Sequence, residues 1–184
     1  FISSGNVWQY LDNDSDLTGT DWATDSNNED NWKSGPSQLG YNEGDEATLV
    51  GDGDGDFTTA PRAITTYFRK TIEVSQVDGF SSMLFRLVRD DGAVVYVNGI
   101  EAFRDSMPEG PINAETLASR SQGGSNERNF FEHSVSPSLF INGTNVIAVE
   151  VHQRSGNSSD MSFDLELIGE VDGEISNAEP TPGT

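Results

Sequence analysis

Apolar and polar residues alternate along much of this chain. In Met161–Leu167, Met161, Phe163, Leu165 and Leu167 fall on one face while Ser162, Asp164 and Glu166 fall on the other. That period of two is the pattern of a half-buried β-strand. In Ile64–Val74, Phe68, Ile72 and Val74 share a face with Lys70 as the odd member, and Tyr67, Arg69, Thr71 and Glu73 share the opposite one. Asn145–Val151 is apolar on both faces, which predicts a central strand. Phe80–Val88 and Ala93–Val97 are rich in β-branched and aromatic residues and read as strands too. Shorter candidates are Val7–Leu11, Ala47–Val50, Ile100–Phe103, Asn129–Val135 and Leu139–Ile141. No stretch longer than about eight residues keeps the 3.6-residue period of an amphipathic helix.

Turn chemistry separates these runs. Asn98-Gly99 predicts a type I′ hairpin, and Asp90-Asp91-Gly92 reads as a tight turn in which Gly supplies a conformation other residues avoid. Asn142-Gly143 precedes the Asn145 strand, and Gly123-Gly124-Ser125-Asn126 marks a loop. Residues 113–119 form either a short helix or part of a long loop. Roughly eight to ten strands without a convincing helix predict an all-β, antiparallel sandwich. The first 60 residues carry little strand signal and are expected to wrap the sandwich as long loops. Residues 1–171 read as one domain, and 172–184, ending Glu179-Pro180-Thr181-Pro182-Gly183-Thr184, have linker composition. With no initiator Met and no signal peptide at Phe1-Ile2-Ser3, the expectation is a piece of a longer multidomain chain.

Charge narrows the function. The 184 residues hold 31 Asp and Glu against 10 Lys and Arg, a formal charge of −21. Such a surface repels the phosphates of nucleic acid and anionic membranes, so neither is an expected partner. No apolar run approaches the roughly 20 residues of a membrane-spanning helix. With no cysteine, disulfide frameworks, thiolate metal sites and Cys nucleophiles are ruled out. The acid is concentrated in residues 1–60, where 13 acids face one base, Lys33. Asp12, Asp14 and Asp16 form one cluster and Asp52, Asp54 and Asp56 another. Each reads either as a solubilising acidic surface or as a loop that chelates a hard cation such as Ca²⁺. Asp52-x-Asp54-x-Asp56 begins like an EF-hand loop, then departs from it at Phe57 and Ala63. Asp90 and Asp91 are a third candidate.

Catalytic motifs are absent from the sequence: there is no Gly-x-Ser-x-Gly elbow, P-loop, His-Glu-x-x-His or Gly-x-Gly-x-x-Gly. His133 and His152 lie in strand candidates, and a triad can assemble in space from distant residues. With so many acids, however, chance carboxylate pairs carry little information about glycoside hydrolysis. The chain is not expected to be an enzyme.

Several motifs follow one another along the chain. They are Thr66-Tyr67-Phe68-Arg69-Lys70-Thr71-Ile72, Leu84-Phe85-Arg86-Leu87, Asp90-Asp91-Gly92-Ala93-Val94-Val95-Tyr96-Val97-Asn98-Gly99 and Gly143-Thr144-Asn145-Val146-Ile147-Ala148-Val149-Glu150-Val151. Upstream stand Trp32-Lys33-Ser34-Gly35-Pro36 and Leu39-Gly40-Tyr41-Asn42-Glu43-Gly44-Asp45-Glu46. This ordered set resembles the galactose-binding-like jelly roll, in particular the sugar-binding domain of family 2 glycoside hydrolases and accessory carbohydrate-binding modules of secreted bacterial proteins. The resemblance implies a jelly-roll sandwich over most of the chain and one structural calcium, without fixing its position; Asp52, Asp54 and Asp56 are the metal candidates.

It also implies a non-catalytic module that binds a polysaccharide or oligosaccharide and holds a secreted bacterial enzyme, its parent chain, near substrate. The alternative is a structural or protein-interaction module of a surface adhesin or multidomain assembly, with no sugar site. A sugar site needs aromatic rings against the pyranose and polar groups for its hydroxyls. Trp22, in the polar stretch Thr20-Asp21-Trp22-Ala23-Thr24, is the candidate exposed ring; the resemblance suggests Trp32 as a buried anchor. Asp90, Asp91 and Arg104 are the candidate polar contacts, with Arg89 and Arg104 flanking the Asp-Asp turn.

Overall fold

The computed structural model describes residues 1–24, 31–51, 62–121 and 128–172. Eleven strands among them build two sheets. The six-stranded sheet contains β1 (Val7–Leu11), β2 (Lys33–Pro36), β5 (Thr65–Val74), β7 (Gly92–Val97), β8 (Ile100–Asp105) and β10 (Gly143–His152), in the order β2-β1-β5-β10-β7-β8. The five-stranded sheet contains β3 (Leu39–Tyr41), β4 (Thr48–Leu49), β6 (Ser82–Asp90), β9 (Phe131–Val135) and β11 (Met161–Glu170), in the order β4-β3-β11-β6-β9. Every pairing is antiparallel except the short β3–β4 pair. From β5 to β11 the chain changes sheet at almost every connection, so the strands interleave as a sandwich.

Alternation sets the core. Phe68, Ile72 and Val74 of β5, Val95 and Val97 of β7, and Ile147, Val149 and Val151 of β10 face inward from one sheet. Met161, Phe163, Leu165 and Leu167 of β11 face them from the other, each at most 1% exposed. Phe68 and Phe163 stack across the gap with ring centroids 4.1 Å apart, and Trp8 meets Phe163 edge-on at 5.1 Å. Burying each such ring is worth roughly 1.5–3 kcal/mol. As expected from its apolar faces, β10 is central, hydrogen-bonded to β5 and β7.

Three expectations change. Asp90-Asp91-Gly92 is a crossing from β6 in one sheet to β7 in the other, not a hairpin turn. Gly92 serves close packing instead of a left-handed backbone: a Cβ there would lie 2.8 Å from Met107 Sδ and 2.9 Å from Ser106 O. The first 60 residues contribute β1 to β4, two of them unforeseen, because Gly35 and Gly40 break the pattern that marks a strand. The strand expected at Leu139–Ile141 does not form, and Leu139 instead ends the 3-10 turn Pro137–Leu139; residues 113–119 take the loop alternative. Part of the first 60 residues also covers the sheet: Tyr67 and Arg69, on the outer face of β5, are 2% and 1% exposed beneath Trp22 and Trp32.

Candidate functional site

The outer face of the six-stranded sheet carries an aromatic-walled cleft of about 320 Å³. One wall is the loop 18–24, built from two successive turns in which Thr20 N donates to Leu17 O and Thr24 N to Asp21 O. The Thr20 and Thr24 hydroxyls donate to the same two carbonyls. Thr18 N donates to Asp16 Oδ1 at 2.9 Å, and hydrogen bonds from Thr18 hold the Asp16 carboxyl below the usual range. These turns lay Trp22 across the sheet, edge-on to Tyr67 at 4.9 Å and to Tyr96 at 5.8 Å. Trp22 remains half-buried, with surface left at the cleft.

The sheet supplies the floor. Tyr96 of β7 and Glu150 of β10 line the cleft, and Tyr96 Oη donates to Glu150 Oε1 at 2.6 Å. Burial, then the adjacent Glu150 charge, pushes the Tyr96 phenol well above its ordinary value, so it stays a donor. The side chain of Glu150 keeps 8% of its surface, and its Oε2 lies 3.4 Å from His152 Nε2. His152 Nδ1 sits 2.8 Å from the Thr116 carbonyl, which only accepts, so Nδ1 carries a proton. Thr65 Oγ1, 2.9 Å from the same nitrogen, donates to Ala114 O at 2.7 Å. Tyr96, Glu150 and His152 thus form a buried polar row beneath the aromatic wall. Gly99 and Ile112 close the cleft at the β7–β8 end.

Of the residues singled out in the sequence, Trp22 lines this cleft; Asp90, Asp91 and Arg104 do not. Asp90 and Asp91 are 1% and 2% exposed, enclosed where the chain crosses between sheets. Asp91 Oδ2 accepts from Arg154 N at 2.7 Å. Their charges reach Tyr41, whose phenol is raised chiefly by burial. Arg104 is committed internally: Nε and Nη2 grip Glu101 at 2.7 Å each, and Nη1 donates to Pro108 O and Gly110 O. It holds the segment leading to Ile112 and so shapes the cleft from behind. Arg89, 2% exposed, pairs with Asp105 at 2.7 Å, and His133 Nε2 lies 3.1 Å from the other Asp105 oxygen. The buried anchor is Trp8, 0% exposed, in place of Trp32, whose half-buried ring lies 3.9 Å from the Arg69 guanidinium.

Glu150 was missed although its signal is in the sequence: it is the sole charged residue in the otherwise apolar run Val146–Val151. A carboxylate placed in a central strand requires partners, and partners mark a site.

The cation candidates separate. Asp12 is neutralised by Lys33 Nζ at 2.8 Å and accepts from Gly51 N, which ties β1 to β2 and to the end of β4. Asp16 closes a turn. Among the described residues no group of three or more His, Asp or Glu converges to hold a metal ion. Asp52, Asp54 and Asp56, like the tail from 173 onward, lie outside the described residues. Among the described residues no helix is long and apolar enough to cross a membrane.

No protein-family model and no curated protein matches the chain. Solved structures do. A β-glucuronidase from an uncultured Clostridium species superposes with a TM-score of 0.50 at 14% identity, over 80% of this chain and 21% of its own. A β-glucuronidase from Ruminococcus gnavus, in complex with uronic deoxynojirimycin, gives 0.50 at 11% identity, over 83% and 21%. The chain spans about a fifth of the length of these solved chains. What they share with it is the fold. Over that span the two-sheet sandwich is the same as theirs.

Proposed function

We propose that this domain is a non-catalytic carbohydrate-binding module, with its sugar seat in the cleft between Trp22 and Tyr96. One observation carries the reading: two aromatic side chains and a ring of hydroxyls and carboxylates converge on one concavity of about 320 Å³. Ligand pockets run from roughly 300 to 1,000 Å³, so this cleft suits a sugar unit or two. A pyranose ring packs its apolar face on Trp22 while Thr18, Thr24 and Asp21 take its hydroxyls. The fold occurs as about a fifth of longer glycosidase chains. This supports a role as one domain of a larger secreted bacterial protein, which the module keeps near its polysaccharide by raising effective concentration. Structural calcium belongs to the same reading, with Asp52, Asp54 and Asp56 as its ligands.

Affinity electrophoresis against agar, alginate, laminarin, chitin and cellulose tests the proposal. Retardation by at least one polysaccharide, lost in Trp22→Ala with an unchanged circular dichroism spectrum, supports it. Free migration on every gel overturns it in favour of the structural or protein-interaction module. Retardation unaffected by Trp22→Ala removes the cleft as the seat.

A further inference from the structure

The cleft's charge is one-sided. Asp21 and Glu150 line it, and among the described residues that line it there is no Lys, Arg or His. The guanidinium of Arg104, on the neighbouring strand β8, is held by Glu101 and two carbonyls. Glu150 offers about four lone-pair positions. Tyr96 uses one and His152 faces another, and the side chain, 8% exposed, belongs to a residue that lines the cleft. Aromatic faces beside carboxylates are the combination that recognises an ammonium group. Asp16, hydrogen-bonded to the lining residue Thr18, adds a further negative charge, and the whole chain carries −21.

Building on the carbohydrate-binding reading, we infer that the cleft selects an amine-bearing pyranose, a glucosamine-type unit, over its N-acetylated counterpart, and rejects uronates. The ammonium sits between Glu150, Asp21 and the Trp22 and Tyr96 rings. A uronate carboxylate placed there meets two like charges and no donor of opposite sign, which costs affinity at every ionic strength short of full screening.

Isothermal titration with three short probes tests this: β-1,4-linked glucosamine trimer, N-acetylglucosamine trimer and galacturonate trimer, at pH 6. An acidic protein attracts any cation, so Asp78→Asn, an exposed acid in the 3-10 turn Val77–Gly79, serves as the charge-matched control. Glucosamine trimer is expected to bind about tenfold more tightly than the acetylated trimer, the value of one charged hydrogen bond, with galacturonate silent. Glu150→Gln and Asp21→Asn should each erase most of that ratio, and Asp78→Asn should leave it. Asp21 lies on an exposed loop, so its variant reports even if Glu150→Gln disturbs the His152 pair. Equal or tighter binding of the acetylated or galacturonate trimer overturns the amine preference while leaving the carbohydrate module standing. A ratio that Asp78→Asn lowers as much as Asp21→Asn reduces it to bulk charge and overturns it too. Silence with all three trimers and with the polysaccharide gels brings down both readings together.

Discussion

Gly99 is where backbone conformation and the sugar seat meet. It completes the Asn98-Gly99 reversal at φ +78°, with Asn98 at +51°. A Cβ built on it would lie 2.4 Å from Thr24 Cγ2, on the loop that carries Trp22. Gly99→Ala therefore incurs two separable costs. A non-glycine residue in the left-handed region costs about 1–2 kcal/mol. Relieving the methyl clash requires the 18–24 loop to shift or the hairpin to tilt, a further cost of order 1 kcal/mol. The sum, about 2–3 kcal/mol, lowers the melting temperature by roughly 4–12 °C in a domain of this size. The second cost is removable. Thr24→Ser deletes Cγ2 and keeps the hydroxyl that donates to Asp21 O at 3.0 Å. The double variant should recover about 1 kcal/mol relative to additivity, in urea denaturation, and should regain the ligand affinity that Gly99→Ala alone loses through displaced Trp22. A cycle with no coupling energy, or a Gly99→Ala protein that binds polysaccharide like the parent, refutes the idea that this hairpin holds the loop in place.

Three further outcomes are expected. Gly40→Ala puts a Cβ 1.9 Å from the Met161 carbonyl oxygen, which is backbone and cannot rotate away, so β3 must leave β11; a loss of more than 3 kcal/mol in urea denaturation is expected, and a loss below 1 contradicts the geometry. Burial alone would raise the Asp105 carboxyl, but the His133 hydrogen bond and the Arg89 guanidinium outweigh it and bring it to about 2, against 3.8 unfolded. Its folded value being depressed, its stabilisation of up to about 2 kcal/mol is complete above pH 5 and fades as pH falls from 4 towards 2; the stability gap between parent and Asp105→Asn should shrink over that interval, and a constant gap argues against the pairing. If Asp52, Asp54 and Asp56 hold calcium, EGTA lowers the melting temperature by several degrees and Asp54→Asn abolishes that difference; identical melts with EGTA and with added Ca²⁺ eliminate a stabilising site.

The strands were legible where one local rule decided them. The alternation in Met161–Leu167, the two apolar faces of Asn145–Val151 and the paired positive φ of Asn98-Gly99 depend on neighbours in sequence, and the structure follows each. Legibility failed where a distant contact decides. Asp90-Asp91-Gly92 has the composition of a turn, yet Gly92 is small because Met107, Ala118 and Ser106 crowd it from elsewhere. Asp90 and Asp91 read as sugar contacts or cation ligands, and the chain's passage between sheets encloses them. Lys33–Pro36 and Leu39–Tyr41 lack a strand pattern because backbone pairing with β1 and β11 specifies them more than their side chains do.

The cleft belongs to this second class, and that explains why only Trp22 pointed to it. Its floor comes from β7 and β10: the outward Tyr96 looks like a routine position in a β-strand, and the lone charge of Glu150 calls for partners without naming them. Its wall comes from a loop more than 70 residues earlier than Tyr96. Neither half is a site alone. An outward Tyr on a strand is common, and a Trp in a polar loop more often packs on its own sheet. What couples them is burial: Trp22 covers Tyr67 and leans on Tyr96, so the outer face becomes dry enough for Glu150 to need Tyr96 and His152. The acid of the first 60 residues then takes on distinct duties. Asp12 joins strands through Lys33, Asp16 shapes the Trp22 loop, and Asp21 faces the cleft. A charge excess that from composition alone reads as solubility is therefore partly spent on placing one aromatic ring above one buried carboxylate. Removing Trp22 should for that reason loosen the Tyr96–Glu150–His152 row as well as the ligand, and a Trp22→Ala protein with an unaltered His152 imidazole NMR signal would separate the two.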